Sequence, residues 1–189
     1  MALAFALLTS SGQAAPAEAW RVERGDLRVA CSLTVGGSFE TRTASLTGTL
    51  SLTNPHPPAF AGELRVDLRT LDTGIALRSD HMRDEYLEVG KGSGFETAVL
   101  SQISLGDVDA ETFQGHTVFT GTLQLHGTKN KVEGAATIRR EGSSVRVEAS
   151  FPVALADFGI PKPQYLGLGV KSAVQVKVAL TVIPEGAPR

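Results

Sequence analysis

Leu71–Phe95 reads LDTGIALRSDHMRDEYLEVGKGSGF, and it is the one stretch where charged residues, a histidine and apolar residues crowd together without strand-like alternation. Within it, Leu77–Leu87 lacks a period of two. The spacing of Arg78, Met82 and Tyr86 predicts two or three turns of helix. Outward in both directions the sequence becomes short alternating segments punctuated by glycine, proline or polar turns, the pattern of an all-β barrel or sandwich.

Towards the N-terminus, Leu64, Val66 and Leu68 form one apolar row against Arg65, Asp67 and Arg69. Before them, Leu46, Gly48, Leu50 and Leu52 share a face, as do Leu27, Val29, Cys31, Leu33 and Val35. The intervening Asn54–Pro58 cannot be a central strand, because its prolines lack ladder donors. Towards the C-terminus, Phe95–Leu105 alternates poorly, whereas Phe119, Gly121, Leu123 and Leu125 line one face. His126–Asn130 reads as a hairpin turn into Val132–Ile138. Val145–Leu155 follows, then a proline- and glycine-rich excursion over Asp157–Gly169, and finally Val170–Val182. These segments give eight expected strands, each with one apolar and one wetted face, as in antiparallel sheets. Without alternating helices, a parallel α/β sheet is excluded.

Eight strands closed into a barrel leave an interior that either fills with side chains or holds one slender ligand. Gly48, Gly121, Gly134, Ala136 and Ser172 fall on the apolar faces. Two readings of them stand: small residues that leave room along the axis, or kinks that let the strands coil.

The chain fits one domain of 189 residues. A net charge of -2 offers no electrostatic argument for nucleic acid or an anionic membrane surface. No apolar run approaches the roughly 20 residues of a membrane helix, so stable membrane insertion is not expected. Ala2–Leu8 is a short apolar run followed by small residues with A-x-A patterns at Ala15–Ala17 and Ala17–Ala19, which reads as a secretory signal. Its positively charged start is missing, so the signal is read as clipped. Residues 1–19 are therefore assigned to a leader, 20–183 to the barrel and 184–189 to a tail. The single cysteine, Cys31, allows no intramolecular disulfide and is expected to be a small buried apolar residue.

Motifs for catalysis are absent: there is no G-x-S-x-G, P-loop, G-x-G-x-x-G after a strand, or H-E-x-x-H. Ser79, Asp80 and His81 are the residue types of a hydrolase triad, but consecutive positions diverge where a triad must converge. The four histidines show no metal-ligand spacing, and no cofactor is expected. An enzyme of hydrolase or isomerase type would have to rely on His81 and His126 with acidic neighbours. A structural or stress protein with a filled barrel is the remaining alternative.

Three groups of residues carry a resemblance to a known family. They are Leu71–Gly74 with Arg78–Asp84 and Tyr86-Leu87, then Gly121–Lys129 (GTLQLHGTK), then Asp157–Ile160 with a proline close behind. In this order and spacing the chain resembles the YceI-like proteins over about Trp20–Ile183. The resemblance implies an eight-stranded antiparallel lipocalin-like barrel, exported to the bacterial periplasm or secreted. It would hold an isoprenoid-type lipid or other amphiphile in an apolar tunnel, without established catalysis; a homodimer is left open.

The resemblance carries no individual ligand residues, so the expected lining rests on the inward faces. From the first half these are Val29, Leu33 and Leu50, with Val66 left unassigned. The crossover supplies Met82, Tyr86 and Leu87, followed by Phe95. Phe119, Leu123 and Ile138 come next, then Phe151, Phe158, Val174 and Val176. Arg78, Asp80, Arg83 and Asp84 are expected to fix the crossover over a barrel opening.

Overall fold

Alternating apolar rows become the staves of a closed antiparallel barrel in the computed structural model, which describes residues 19–165 and 168–186. The expected leader therefore lies outside the described residues, except for Ala19. In chain order the strands are β1 (Ala19–Ser32), β2 (Ser38–Thr43), β3 (Leu46–Pro55), β4 (Pro58–Asp67), β5 (Thr97–Leu105) and β6 (Gly115–Leu125). They continue as β7 (Thr128–Glu141), β8 (Ser144–Ala154), β9 (Gln164–Tyr165), β10 (Leu168–Gly169) and β11 (Ala173–Pro184). From β3 to β8 each strand pairs with its neighbour in the chain, β8 pairs with β11, and β11 closes the ring on β1. Closure leaves one sheet edge in the barrel wall, the side of β2 that faces away from β1.

The eighth stave is split. Leu27–Ser32 of β1 faces Ser38–Thr43 of β2, while Ala19–Arg21 faces Thr49–Ser51 of β3, so β2 and β3 together make one wall element. The break falls at Ala44-Ser45, where a side chain takes over from the ladder. Ser45 Oγ accepts from Asp67 N (3.1 Å) and donates to Asp67 O (3.2 Å), an alternative that serine readily offers the backbone. Thr43 and Thr70 hydroxyls meet at 2.6 Å beside it. β9 and β10 pair antiparallel as a short separate ladder within the expected excursion.

The poor alternation expected over Phe95–Leu105 has a local cause. β5 shifts register against both β4 and β6 between Ser101 and Ser104, and Gln102 sits at φ +52°. An extra residue there flips the inward set, as a bulge does. The β6–β7 turn is shorter than expected: His126 (φ +51°) and Gly127 (φ +74°) alone make it, the positive-φ pair that suits a tight hairpin.

The glycines resolve the two readings in favour of coiling. A Cβ on Gly48 would lie 2.1 Å from the Glu63 carbonyl oxygen, and one on Gly134 would lie 2.3 Å from Ser150 O and 2.6 Å from Phe151 Cβ. On Gly121 it would meet Leu100 Cδ1 at 2.9 Å. These positions let strands and large side chains approach; they open no space. Ser172 is exposed, and only Ala136 of the group borders the interior cavity.

Between β4 and β5 the chain leaves the wall, and Ala76–His81 forms the short helix α1. It continues without a break as a π-turn over Met82–Tyr86, with Leu87 N bonding Met82 O at 2.9 Å. The expected 77–87 helix is thus present, with a looser second half.

Candidate functional site

The barrel interior is not filled. It holds two apolar lobes, an inner and an outer one, and Leu27, Val66, Ala98, Leu123 and Phe151 border both and form the waist between them. The inner lobe, about 160 Å³, is bordered by apolar and aromatic side chains throughout. Its closed end is aromatic: Trp20 meets Phe113 edge-to-face at 5.7 Å, and Phe60 lies 6.3 Å from the same Phe113 ring. The outer lobe, about 450 Å³, runs from the waist to the crossover and is within the size range of small-molecule pockets.

The crossover forms the outer lobe's cover. Met82, Tyr86 and Leu87 border the cavity, and so do Ile75 and Leu77, which are 54% and 60% exposed. Large apolar side chains are thus left exposed at the rim of an apolar cavity. Tyr86 is pinned by Gln164, whose carbonyl accepts from the Tyr86 hydroxyl at 3.1 Å and whose backbone N–H donates to it at 3.2 Å.

The residues of the first motif hold this cover in place. Asp72 and Arg42 exchange backbone hydrogen bonds of 2.9 Å, which ties the crossover to the free side of β2. The Asp72 carboxylate accepts from Gly74 N and Ser79 Oγ, and those two bonds hold its pKa below the ordinary value. Ser79, 2% exposed, also accepts from Thr73 N at 3.0 Å. Arg83 donates to Leu71 O at 3.0 Å and pairs with Asp80 at 2.5 Å. Asp84, expected to help, is simply exposed.

A second clasp joins all three motif regions. His126 Nε2 lies 2.8 Å from Glu88 and Nδ1 lies 3.1 Å from the Phe158 carbonyl, while Phe95 stacks edge-to-face on the imidazole at 4.7 Å. Lys91 pairs with the same Glu88. Hydrogen bonds from Lys91, and secondarily His126, depress the Glu88 pKa. Asn130 adds a bond to Asp157 O. The polar residues of the motifs therefore fasten the cover, while their apolar residues, Met82, Tyr86, Leu87, Leu123 and Leu125 among them, border the cavity with the strand positions.

Of the expected lining residues, Val29, Leu33, Met82, Tyr86, Leu87, Val174 and Val176 border the outer lobe. Leu50, Phe119 and Ile138 border the inner one, and Leu123 and Phe151 stand at the waist with the unassigned Val66. Phe95 and Phe158 border neither lobe. Phe95 is taken up by the His126 ring, and Phe158 is 2% exposed in the 3-10 turn Leu155–Phe158, outside the barrel staves. His81 and His126 are not brought together as a pair: His81 borders the outer lobe and meets Glu85 at 3.3 Å, while His126 belongs to the clasp. Among the described residues no group of three or more His, Cys, Asp or Glu is placed to hold a metal.

Several cavity residues escape the strand patterns. Trp20 precedes the first expected strand, Phe113 comes from the loop before β6, and Phe39 and Thr41 lie on β2, whose SFETRT sequence reads as polar. Alternation of Phe39, Thr41 and Thr43 was the available signal. Cys31 is buried as expected and borders the outer lobe; burial pushes its thiol up to about 11, with Arg78 acting in the opposite direction.

Comparison with known proteins agrees with this architecture. A polyisoprenoid-binding domain from Saccharophagus degradans, implicated in plant cell wall breakdown, superposes with a TM-score of 0.65 at 18% identity, covering 89% of this chain and 99% of that one. BcnA of Burkholderia cenocepacia gives 0.66 at 15% identity, over 83% and 95%. The Campylobacter jejuni YceI protein gives 0.58 at 13%, over 78% and 85%. At such identities the likeness concerns the fold. No curated protein matches the chain. The YceI-like domain, however, matches residues 20–182, and with the barrel closed as described this chain belongs to the YceI-like family.

Proposed function

We propose that this protein is an exported carrier that holds a polyisoprenoid or similar long amphiphile inside the barrel, for sequestration or transport. The observation that supports this most is the pair of apolar lobes set side by side inside the barrel, with five wall residues in common, the outer one reaching an apolar rim and the inner one walled by Trp20, Phe60 and Phe113. A chain threaded along them gains about 0.8 kcal/mol per carbon taken from water, or about 4 kcal/mol per prenyl unit. Drawn from a bilayer, the same tail exchanges one apolar environment for another, so that term nearly cancels. Selection then rests on the length and shape of the cavity and on the head group.

Family membership supports a lipid-binding role, and the Saccharophagus degradans relative is described as polyisoprenoid-binding. Residence in the periplasm or outside the cell follows the family and the leader-like start. No helix among the described residues is long and apolar enough to cross a membrane. The test is a titration of delipidated protein with prenols presented from cyclodextrin, read through Trp20, the only tryptophan, at the end of the inner lobe. Saturable binding that tightens with chain length and perturbs Trp20 is expected. No binding of any prenol would overturn the proposal.

A further inference from the structure

His126 faces two acceptors at once. Its Nε2 lies 2.8 Å from a Glu88 carboxylate oxygen, and its Nδ1 lies 3.1 Å from the Phe158 carbonyl oxygen. A neutral imidazole has one N–H and one lone pair, so it satisfies only one of them. Both bonds form only when the ring carries both protons. A protonated Glu88 is the other way to pair these atoms, and its surroundings oppose it. Its second oxygen is paired with Lys91, whose hydrogen bond is the main reason the carboxyl is held below its ordinary value. The His126 side chain is 9% exposed, so water has little access to replace a lost bond.

Few other charges bear on the ring. Phe95 stacks on it edge-on, with the Lys91 ammonium 5.3 Å from the centre of the Phe95 ring, and Glu96 beside Phe95 is paired with Arg69. Lys129 stands on β7 just after the turn, and Asp157 precedes Phe158 in its 3-10 turn. Among the described residues Glu88 is the imidazole's one ion-pair partner. Glu88 in turn follows Tyr86 and Leu87, both of which border the outer lobe. It sits at φ +50°, a left-handed conformation that a glutamate keeps only where its surroundings fix it. Further along, the Gly127 N–H donates to Gly94 O at 2.8 Å, a backbone tie that no titration touches.

We infer that His126 is a proton-operated latch on the cover: the doubly protonated ring fastens Glu88 and the Phe158 turn together, and loss of one proton frees residues 82–87 to lift from the outer lobe. This rests on the lipid-carrying reading above and adds its regulation. The proton that remains goes to the charged acceptor, Glu88. The Phe158 carbonyl then faces a lone pair, and the Glu88 contact falls from an ion pair to an ordinary hydrogen bond, so both arms weaken. The latch is closed at lower pH and loosens as pH rises through the ring's titration. Protonation of Glu88 sets the acid limit, because it removes the acceptor. Ligand exchange is slowest between these two events.

Hydrogen exchange of ligand-free wild-type protein, corrected for the intrinsic chemical rate, is followed from about pH 5.5 to about pH 8.5 beside ¹⁵N NMR of the ring. On the acid side both ring nitrogens should read as protonated. Protection of the amides of residues 82–91 should then fall on the order of tenfold, with the same midpoint as the ring, while β6–β8 keep theirs. His126→Gln should show no such fall. His81→Gln, which removes the other imidazole of the crossover, should retain it. Release of geranylgeraniol from loaded protein to cyclodextrin should quicken by a similar factor over the same range in wild type and be independent of pH in His126→Gln. A ring with one proton while the cover is protected, protection that does not change with pH, or a fall that survives in His126→Gln or vanishes in His81→Gln would overturn the latch. If His126→Gln does not fold, the two wild-type midpoints decide, and their separation would overturn it. Release without pH dependence despite the fall in protection would overturn its control of the ligand. Failure to bind the prenol would overturn the lipid reading, and the exchange and ring titrations would still decide the latch.

Discussion

The waist between the lobes gives the sharpest prediction. Ala98 borders both lobes and faces Val66 across the β4–β5 ladder, so Ala98→Phe places a ring in the passage. The inner lobe behind it measures about 160 Å³. An apolar cavity of about 150 Å³ admits a benzene-sized group, so blocking the waist excludes roughly one prenyl unit. At about 0.8 kcal/mol per carbon the loss is about 3–4 kcal/mol, or two to three powers of ten in affinity. A short prenol confined to the outer lobe should lose nothing. Geraniol and solanesol, both delivered from cyclodextrin, provide the comparison, with Trp20 fluorescence as an independent report of inner-lobe entry. Solanesol should weaken by at least a hundredfold and cease to perturb Trp20, while geraniol remains as in the wild type. Equal losses for both prenols, or a Trp20 response that survives the substitution, would refute the two-lobe reasoning. Overpacking itself costs about 1–3 kcal/mol of stability, so the variant must first be shown folded by circular dichroism.

Other expectations follow from the cover and the wall. Glu88 has a depressed pKa, so its clasp contributes stability above the ordinary value of 4.5 and loses it as pH falls through the depressed folded value. Glu88→Gln should therefore flatten the acid limb of a Tm-against-pH curve, and an unchanged limb would contradict the assignment. Tyr86→Asp should weaken lipid retention more than Asp80→Asn, because Tyr86 borders the cavity and is anchored to Gln164, whereas Asp80 is an exposed partner of Arg83. Equal effects in a retention assay would reduce the stretch to a connector. Gly134→Ala must place a Cβ against Ser150 O, Phe151 and Phe119, so a loss of about 1–3 kcal/mol is expected in urea unfolding. A midpoint within error of wild type would show that the β7–β8 wall yields more easily than its geometry implies.

Much of the barrel is visible in the residue pattern because each stave buries one face, and a period of two is all that burial requires. The rows at Leu46–Leu52, Phe119–Leu125 and Val174–Leu180 become wall strands in the expected orientation. β2 is hidden because two of its inward residues are threonines, and a polar residue facing a cavity leaves no hydrophobic signal. β5 reads irregularly because Gln102 bulges, a backbone event that composition does not announce. The glycines mislead for a related reason: Gly134 reads as space until the Ser150 carbonyl, the Phe151 Cβ and the Phe119 ring are seen to occupy it. The helix near 77–87 is legible from Arg78, Met82 and Tyr86, but the π-turn depends on where the cover must sit.

The site divides along the same line. Met82, Tyr86 and Leu87 are readable as the inward face of a cover, since helical spacing sets direction locally. Trp20 and Phe113 close the inner lobe from outside any alternating run, and only the tertiary fold brings them within 5.7 Å. Phe95 and Phe158 look equally suitable in sequence, yet both serve the His126 clasp region instead. The motif histidines invite a chemical reading. Their partners, Glu85 for His81 and Glu88 with the Phe158 carbonyl for His126, show two separate local fastenings.

The central claim is that the cavity carries a long isoprenoid-type amphiphile. The most direct measurement is native mass spectrometry of the full-length protein purified from its own host without detergent, followed by release and fragmentation of any bound molecule. The account predicts a single equivalent of a prenyl-bearing amphiphile, displaced when Ala98→Phe closes the waist. Repeated recovery of empty wild-type protein, or of a bound molecule without a prenyl chain, would contradict it.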